Sequence, residues 1–228
     1  MRDSYGEMLM KLKITQDDFI SWGIDEIKTL LPDIIIVEEN WNRLKSYIDS
    51  GNEVYIRGYG RDKKNGQINK ICNLYKEAGF NTIVKLDPTN NLKPQQLMKQ
   101  MGKYMVGKKD TSNYNAIQNY KLSHLWGYTK NIYLFENPWN IVYTPVVIDP
   151  LTGHETYDNN LKLRFKEDIA KLVFGKYGRF IEEYNNILEN DDRVKKIIEI
   201  CENNKEDKFY MEMKKQWVKL TSDNVLKG

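Results

Sequence analysis

The chain's two histidines, His124 and His154, fall in one stretch with Asn140 between them, 16 residues after the first and 14 before the second. That stretch reads Ser123-His124-Leu125-Trp126-Gly127, then Asn137-Pro138-Trp139-Asn140-Ile141-Val142-Tyr143, then Asp149-Pro150-Leu151-Thr152-Gly153-His154-Glu155. Histidine exchanges a proton near neutrality at its ordinary pKa and is the commonest metal ligand. Two of them beside an asparagine point to proton transfer, metal binding, or both. Taken singly, each residue also has a bland reading: a His beside Trp on a strand is usually structural, and an Asn before Ile-Val-Tyr caps a turn. His154-Glu155 opens a His-Glu-x-x-His zinc motif, but position 158 is Asp, so a zinc protease does not fit.

The elements that must position these residues can be read from periodicity. Thr15 with Asp18 caps a helix carrying Phe19, Ile20, Ile24, Ile27 and Leu31, and Pro32 stops it. Ile34 to Val37 reads as a short strand or a helix entry; residues 39–49 read as a helix, and residues 53–57 alternate like a strand. Arg57-Gly58-Tyr59-Gly60-Arg61 reads first as a strand-to-helix turn, with phosphate contact a second use of its arginines. A helical stripe through Ile68, Ile71, Cys72 and Tyr75, a strand at 82–86, a loop at 87–91 and a helix over 94–105 follow. Gly107 to Asn115 is polar and turn-rich, which places a domain boundary there. Residues 120–126 and 141–148 read as strands. From about 158 the chain is helical, with breaks at Gly175 and Gly178 and a last helix from about Lys208 to Leu220.

The net charge of +3 conceals a strong asymmetry: residues 57–130 hold 14 Lys and Arg against 4 Asp and Glu. Basic footprints of this kind suit phosphate backbones, because each neutralised phosphate releases counterions. No run of 18 apolar residues exists and the first residues are not of signal-peptide type, so the expectation is a cytoplasmic protein with no membrane partner. Cys72 and Cys201 are isolated, which reads as buried free thiols.

Two strands, an Asn and a second His before a helical region resemble the HNH nucleases, also called ββα-metal or His-Me finger nucleases. The resemblance covers about residues 120–158. It implies that His124 is the general base, that Asn140 orients the base or its loop, and that His154 holds one divalent ion, Mg²⁺ or Mn²⁺. The position before the base is often a metal-ligating Asp or His in that family. Here it is Ser123, so the missing oxygen is assigned to Asp149 ahead of Glu155 and Asn131. Cys pairs that bind zinc around many such fingers have no counterpart, so no structural zinc is expected. Trp126, Phe135 and Trp139 would then hold the finger by packing.

The expected architecture is α+β: a basic α/β portion over 1–115 that reads DNA, an HNH-like finger over 116–160, and a helical portion over 161–228 that packs on the finger or forms a dimer interface. The expected activity is metal-dependent hydrolysis of double-stranded DNA, of the type II restriction kind and with a homodimer as one arrangement. Arg57, Arg61, Lys63, Lys64, Lys99, Lys103, Lys108 and Lys109 are the candidate phosphate contacts. The rival readings are a non-catalytic DNA- or RNA-binding protein, a ribonuclease using the same site, and a small-molecule enzyme or toxin with an unrelated pocket at 120–155.

Overall fold

The structure is a computed structural model, and it describes residues 4–58, 66–107, 109–152 and 159–225. The chain is a mixed, α+β assembly. Helix α1 (Ser4–Leu12) is followed by α2 (Gln16–Leu30), which the Thr15–Asp18 capping box opens. Helix α3 (Ile34–Asp49) begins at the apolar run that also suited a strand. The Asp33 side chain decides for helix by accepting from the Ile35 amide, and Val37, Trp41, Leu44 and Ile48 then fall on one buried face.

Strands β1 (Glu53–Ile56) and β2 (Ile83–Leu86) pair in parallel, Glu53 opposite Ile83 through Ile56 opposite Leu86, with helix α4 (Gln67–Glu77) between them in sequence. Gly58, just beyond β1, lies so close to Leu86 that a Cβ would meet its Cδ1 at 2.9 Å. The turn that follows β2 leads into helix α5 (Leu92–Met101), which ends at Gly102. The expected helix at 94–105 is therefore shorter at its C-terminal end, and its last residues form β3 (Tyr104–Val106), parallel to β4 (Asn115–Ile117).

Strands β5 (Tyr120–His124) and β6 (Ile141–Pro145) pair antiparallel, Tyr120 opposite Pro145 and His124 opposite Ile141. After a short turn at Asp149–Thr152 the chain enters α6 (Asn159–Asn190), then α7 (Asp192–Asn203) and α8 (Lys208–Lys214). The expected breaks at Gly175 and Gly178 do not occur, and α6 runs through both. Each glycine costs a helix about 1 kcal/mol relative to Ala. The buried stripe of Phe165, Ile169, Val173, Tyr177, Ile181 and Tyr184 outweighs that. The last helix stops at Lys214, short of Leu220.

One apolar cluster takes in Leu9, Trp41, Val54, Trp126, Trp139, Phe165 and Trp217, so residues from all three expected segments share a core. Trp139 sits at its centre, with its ring 5.6 Å from Trp41, 5.9 Å from Trp126 and 6.2 Å from Tyr184. Among the described residues no helix is long and apolar enough to cross a membrane.

Candidate functional site

The loop joining β5 to β6 is buried, so its polar groups need internal partners. Three buried asparagines supply them. Asn131 accepts from the Tyr133 amide and donates to the Tyr184 hydroxyl and the Gln216 carbonyl. Asn137 accepts from the Trp139 amide and donates to the Tyr133 carbonyl. Asn140 accepts from the Trp126 amide at 3.0 Å and donates to the Leu134 carbonyl at 2.9 Å, tying the two ends of the loop together. Asn131, an alternative metal ligand in the sequence reading, is thus fully used as a loop anchor.

The pinned loop presents the Phe135 carbonyl to His124, whose Nε2 lies 3.0 Å away. Since a carbonyl can only accept, Nε2 carries the proton and Nδ1 keeps the lone pair. Nδ1 is buried and has no hydrogen-bond partner among the described residues, while the ring stacks on Phe135 at 5.4 Å and 12°. Burial first, and then the nearby Arg57 guanidinium, lower the His124 pKa to about 4, against the Phe135 carbonyl and Asp87, which favour the proton. His124 is therefore a neutral imidazole of fixed tautomer at pH 7.

Arg57 and Asp87 reach this neighbourhood because each directly follows a strand of the parallel pair, and the carboxyl ends of parallel strands open towards the His124 loop. The Arg57 amide bonds the Thr129 carbonyl, and its guanidinium donates to the Asn90 carbonyl at 3.3 Å and to Asn91 Oδ1 at 2.6 Å. Buried Asp87 caps the first turn of α5 by accepting from the amides of Thr89, Leu92 and Lys93. A cavity of about 340 Å³ lies beside this group, with Tyr120, Leu122, Asn91, Gln95 and Tyr143 in its wall. Alternation along β5 sends Tyr120, Leu122 and His124 to one face of the hairpin.

Asp149 belongs to the other face. It accepts from Ser123 Oγ at 3.2 Å and from Lys121 Nζ at 2.7 Å. The structure therefore brings Asp149 to Ser123, the position that lacked a ligand, and not to the His124 ring. Its carboxylate is the right donor chemistry for Mg²⁺ or Mn²⁺. Among the described residues no three His, Cys, Asp or Glu side chains converge on one point. The expected ligand His154 lies outside the described residues, as do Glu155, Arg61, Lys63, Lys64 and Lys108. Of the remaining basic candidates, Lys99, Lys103 and Lys109 are exposed, Lys99 with its ammonium 5.5 Å from the Tyr114 ring. Among the described candidates, Arg57 alone acts on His124.

The sequence reading missed Glu136. Its Oε2 accepts from the Tyr55 amide at 2.7 Å, and burial raises its pKa to about 7, opposed by that amide and by Lys93 and Arg43. A lone carboxylate inside the run Leu134-Phe135-Glu136-Asn137-Pro138-Trp139 was the available signal.

A family model described as "Uncharacterised protein PM1201" matches residues 32–226. A relative of that same description from Pasteurella multocida (strain Pm70) is 32% identical over 189 residues, covering 82% of this chain and 80% of its own length. No solved structure matches the chain.

Proposed function

The chain belongs to the PM1201 family, and for it we propose hydrolysis of nucleic-acid phosphodiesters, in the form of a DNA endonuclease with His124 as general base. The observation that carries this reading is the His124 ring, fixed at Nε2 by a loop carbonyl and left, among the described residues, with an unpartnered lone pair at Nδ1. A base needs that arrangement, because its tautomer must be set before the proton arrives. Asn140 is a positioning residue: it ties the loop that offers the Phe135 carbonyl. In the reaction, Nδ1 takes a proton from water as the water oxygen bonds to phosphorus. The bond from phosphorus to the 3′-oxygen breaks, and that oxygen takes a proton from solvent. Arg57, half-buried and held by Asn90 and Asn91, is placed to neutralise the phosphoryl charge that develops.

Asp149 beside Ser123, with His154, is the ligand pair the reading assigns to Mg²⁺ or Mn²⁺. Such an ion supplies Lewis-acid neutralisation at the phosphate when bound. A restriction-type role, a homodimer that cuts both strands and a cytoplasmic setting belong to the same proposal. One observation favours the rival, non-catalytic reading: Nδ1 is covered, so substrate can meet it only if the covering groups move.

The test is incubation of end-labelled DNA duplex and matched RNA with the full chain, in Mg²⁺, in Mn²⁺ and in EDTA. DNA cleavage that EDTA stops supports the reading. Cleavage of RNA alone makes the protein a ribonuclease, and retention of both nucleic acids uncut with salt-sensitive binding supports the rival.

A further inference from the structure

On the far side of α5 from the cavity that Asn91, Gln95 and Tyr120 line is a second cleft of about 220 Å³, between α3 and α5, with Glu136 in its wall. Asn40, Arg43, Tyr47, Lys93 and Gln100 share that wall. The cleft is polar, and the charges of Arg43, Lys93 and Glu136 act on one another across it without closing to a contact ion pair among the described residues. Among the described residues the Arg43 guanidinium donates to side-chain amides, Asn40 Oδ1 at 2.6 Å and Gln100 Oε1 at 3.4 Å. The Lys93 ammonium sits 4.2 Å over the Tyr55 ring. Among the described residues neither cation has a carboxylate within ion-pair distance, although both act on Glu136 through space. Glu136 uses one oxygen on the Tyr55 amide, which leaves Oε1 and a lone pair of Oε2 for something else.

We propose that this cleft binds a guanine base, with Glu136 accepting its adjacent N–H donors and Arg43 donating to its O6 and N7. Guanine is the base that asks for both halves of this lining. Its Watson–Crick edge carries two neighbouring N–H groups, which a carboxylate accepts together. Its other edge carries the O6 and N7 acceptors, which a guanidinium fork matches. The Tyr47 ring, 43% exposed at the rim, offers a face on which a base can stack, and Lys93 is the cation for the attached phosphate. A base enters such a cleft only when it is out of the duplex stack, or in a single strand. Glu136 directly follows Phe135, the residue whose carbonyl holds His124, so the cleft and the proposed base catalyst share one loop. The inference rests on the endonuclease reading and gives that enzyme a base to recognise.

The experiment is thermal unfolding of the full chain with deoxyguanosine 5′-monophosphate, thymidine 5′-monophosphate or inorganic phosphate, each variant compared with its own ligand-free baseline. The guanine nucleotide should raise Tm by roughly 2–4 °C at saturating concentration, while the other two leave it within error. Glu136→Gln, which replaces one acceptor by a donor facing the guanine N–H groups, should abolish the shift. Arg43 is exposed, so Arg43→Gln leaves the fold intact and should weaken the guanine nucleotide at least about tenfold. His124→Ala should keep the shift, which separates failure of this proposal from failure of the catalytic one. Equal shifts from all three ligands, or no shift from the guanine nucleotide, would overturn it.

Discussion

Glu136 gives the sharpest stability prediction. Its ordinary pKa is 4.5, and in the folded chain burial raises it to about 7. Between those two values the folded protein holds a proton that the unfolded chain has released. Stability must therefore fall as pH rises from 4.5 through 7. At roughly 1.4 kcal/mol for each tenfold change in proton affinity, moving from 4.5 to about 7 sets an upper bound of about 3.5 kcal/mol. His124 works in the opposite sense. Its pKa drops from 6.5 to about 4, so stability is lost as pH falls between those values and the two slopes oppose each other in the wild type. Glu136→Gln removes one of them. Glutamine stays neutral and can still accept from the Tyr55 amide, so at pH 5 it mimics the protonated acid. At pH 8 it escapes the cost of a buried carboxylate. Urea unfolding at pH 5 and pH 8 should show the variant within about 1 kcal/mol of wild type at pH 5 and more stable by up to about 3.5 kcal/mol at pH 8. A variant that gains nothing on wild type between the two pH values would refute the claim that burial raises this group.

Asn140→Ala leaves the Trp126 amide and the Leu134 carbonyl unsatisfied in a buried loop, and at about 1–3 kcal/mol each it should cost roughly 2–5 kcal/mol in urea unfolding. Gly175 lies inside α6 with nothing within 4 Å of where a Cβ would stand, so Gly175→Ala should stabilise by about 0.5–1 kcal/mol and raise Tm. Under the proposed function, a His124 base loses activity only when protonated, so the acid limb of the cleavage rate should fall near pH 4 and not near 6.5, as measured under single-turnover conditions.

Much of the fold was legible where local signals and burial agree. The Thr15–Asp18 pair opened α2 as its residue types require, and the alternation at 53–57 and 82–86 marked β1 and β2. Ile34–Val37 was ambiguous because an apolar run suits either element, and Asp33, a capping residue one position earlier, resolved it. Gly175 and Gly178 misled because local propensity is worth about 1 kcal/mol per glycine, less than the buried stripe they interrupt. In the site, the types and order of His124 and Asn140 were legible, and so was Arg57 as a cation. The role of Asn140 across the loop was not, since it depends on the Trp126 amide and Leu134 carbonyl arriving at one point. Asp87 read as a loop residue and proved to cap α5, and Glu136 went unnoticed because only the Tyr55 amide and the α3–α5 cleft give it meaning.

The measurement that bears most directly on the catalytic role proposed for His124 is the rate of supercoiled-plasmid cleavage by purified wild type and His124→Ala, both folded by circular dichroism. A general base contributes about 10²–10⁴-fold, so the variant should cut slower by that factor while still binding the plasmid. Equal rates for the two proteins, or a plasmid that wild type leaves intact in Mg²⁺ and in Mn²⁺, would contradict the assignment.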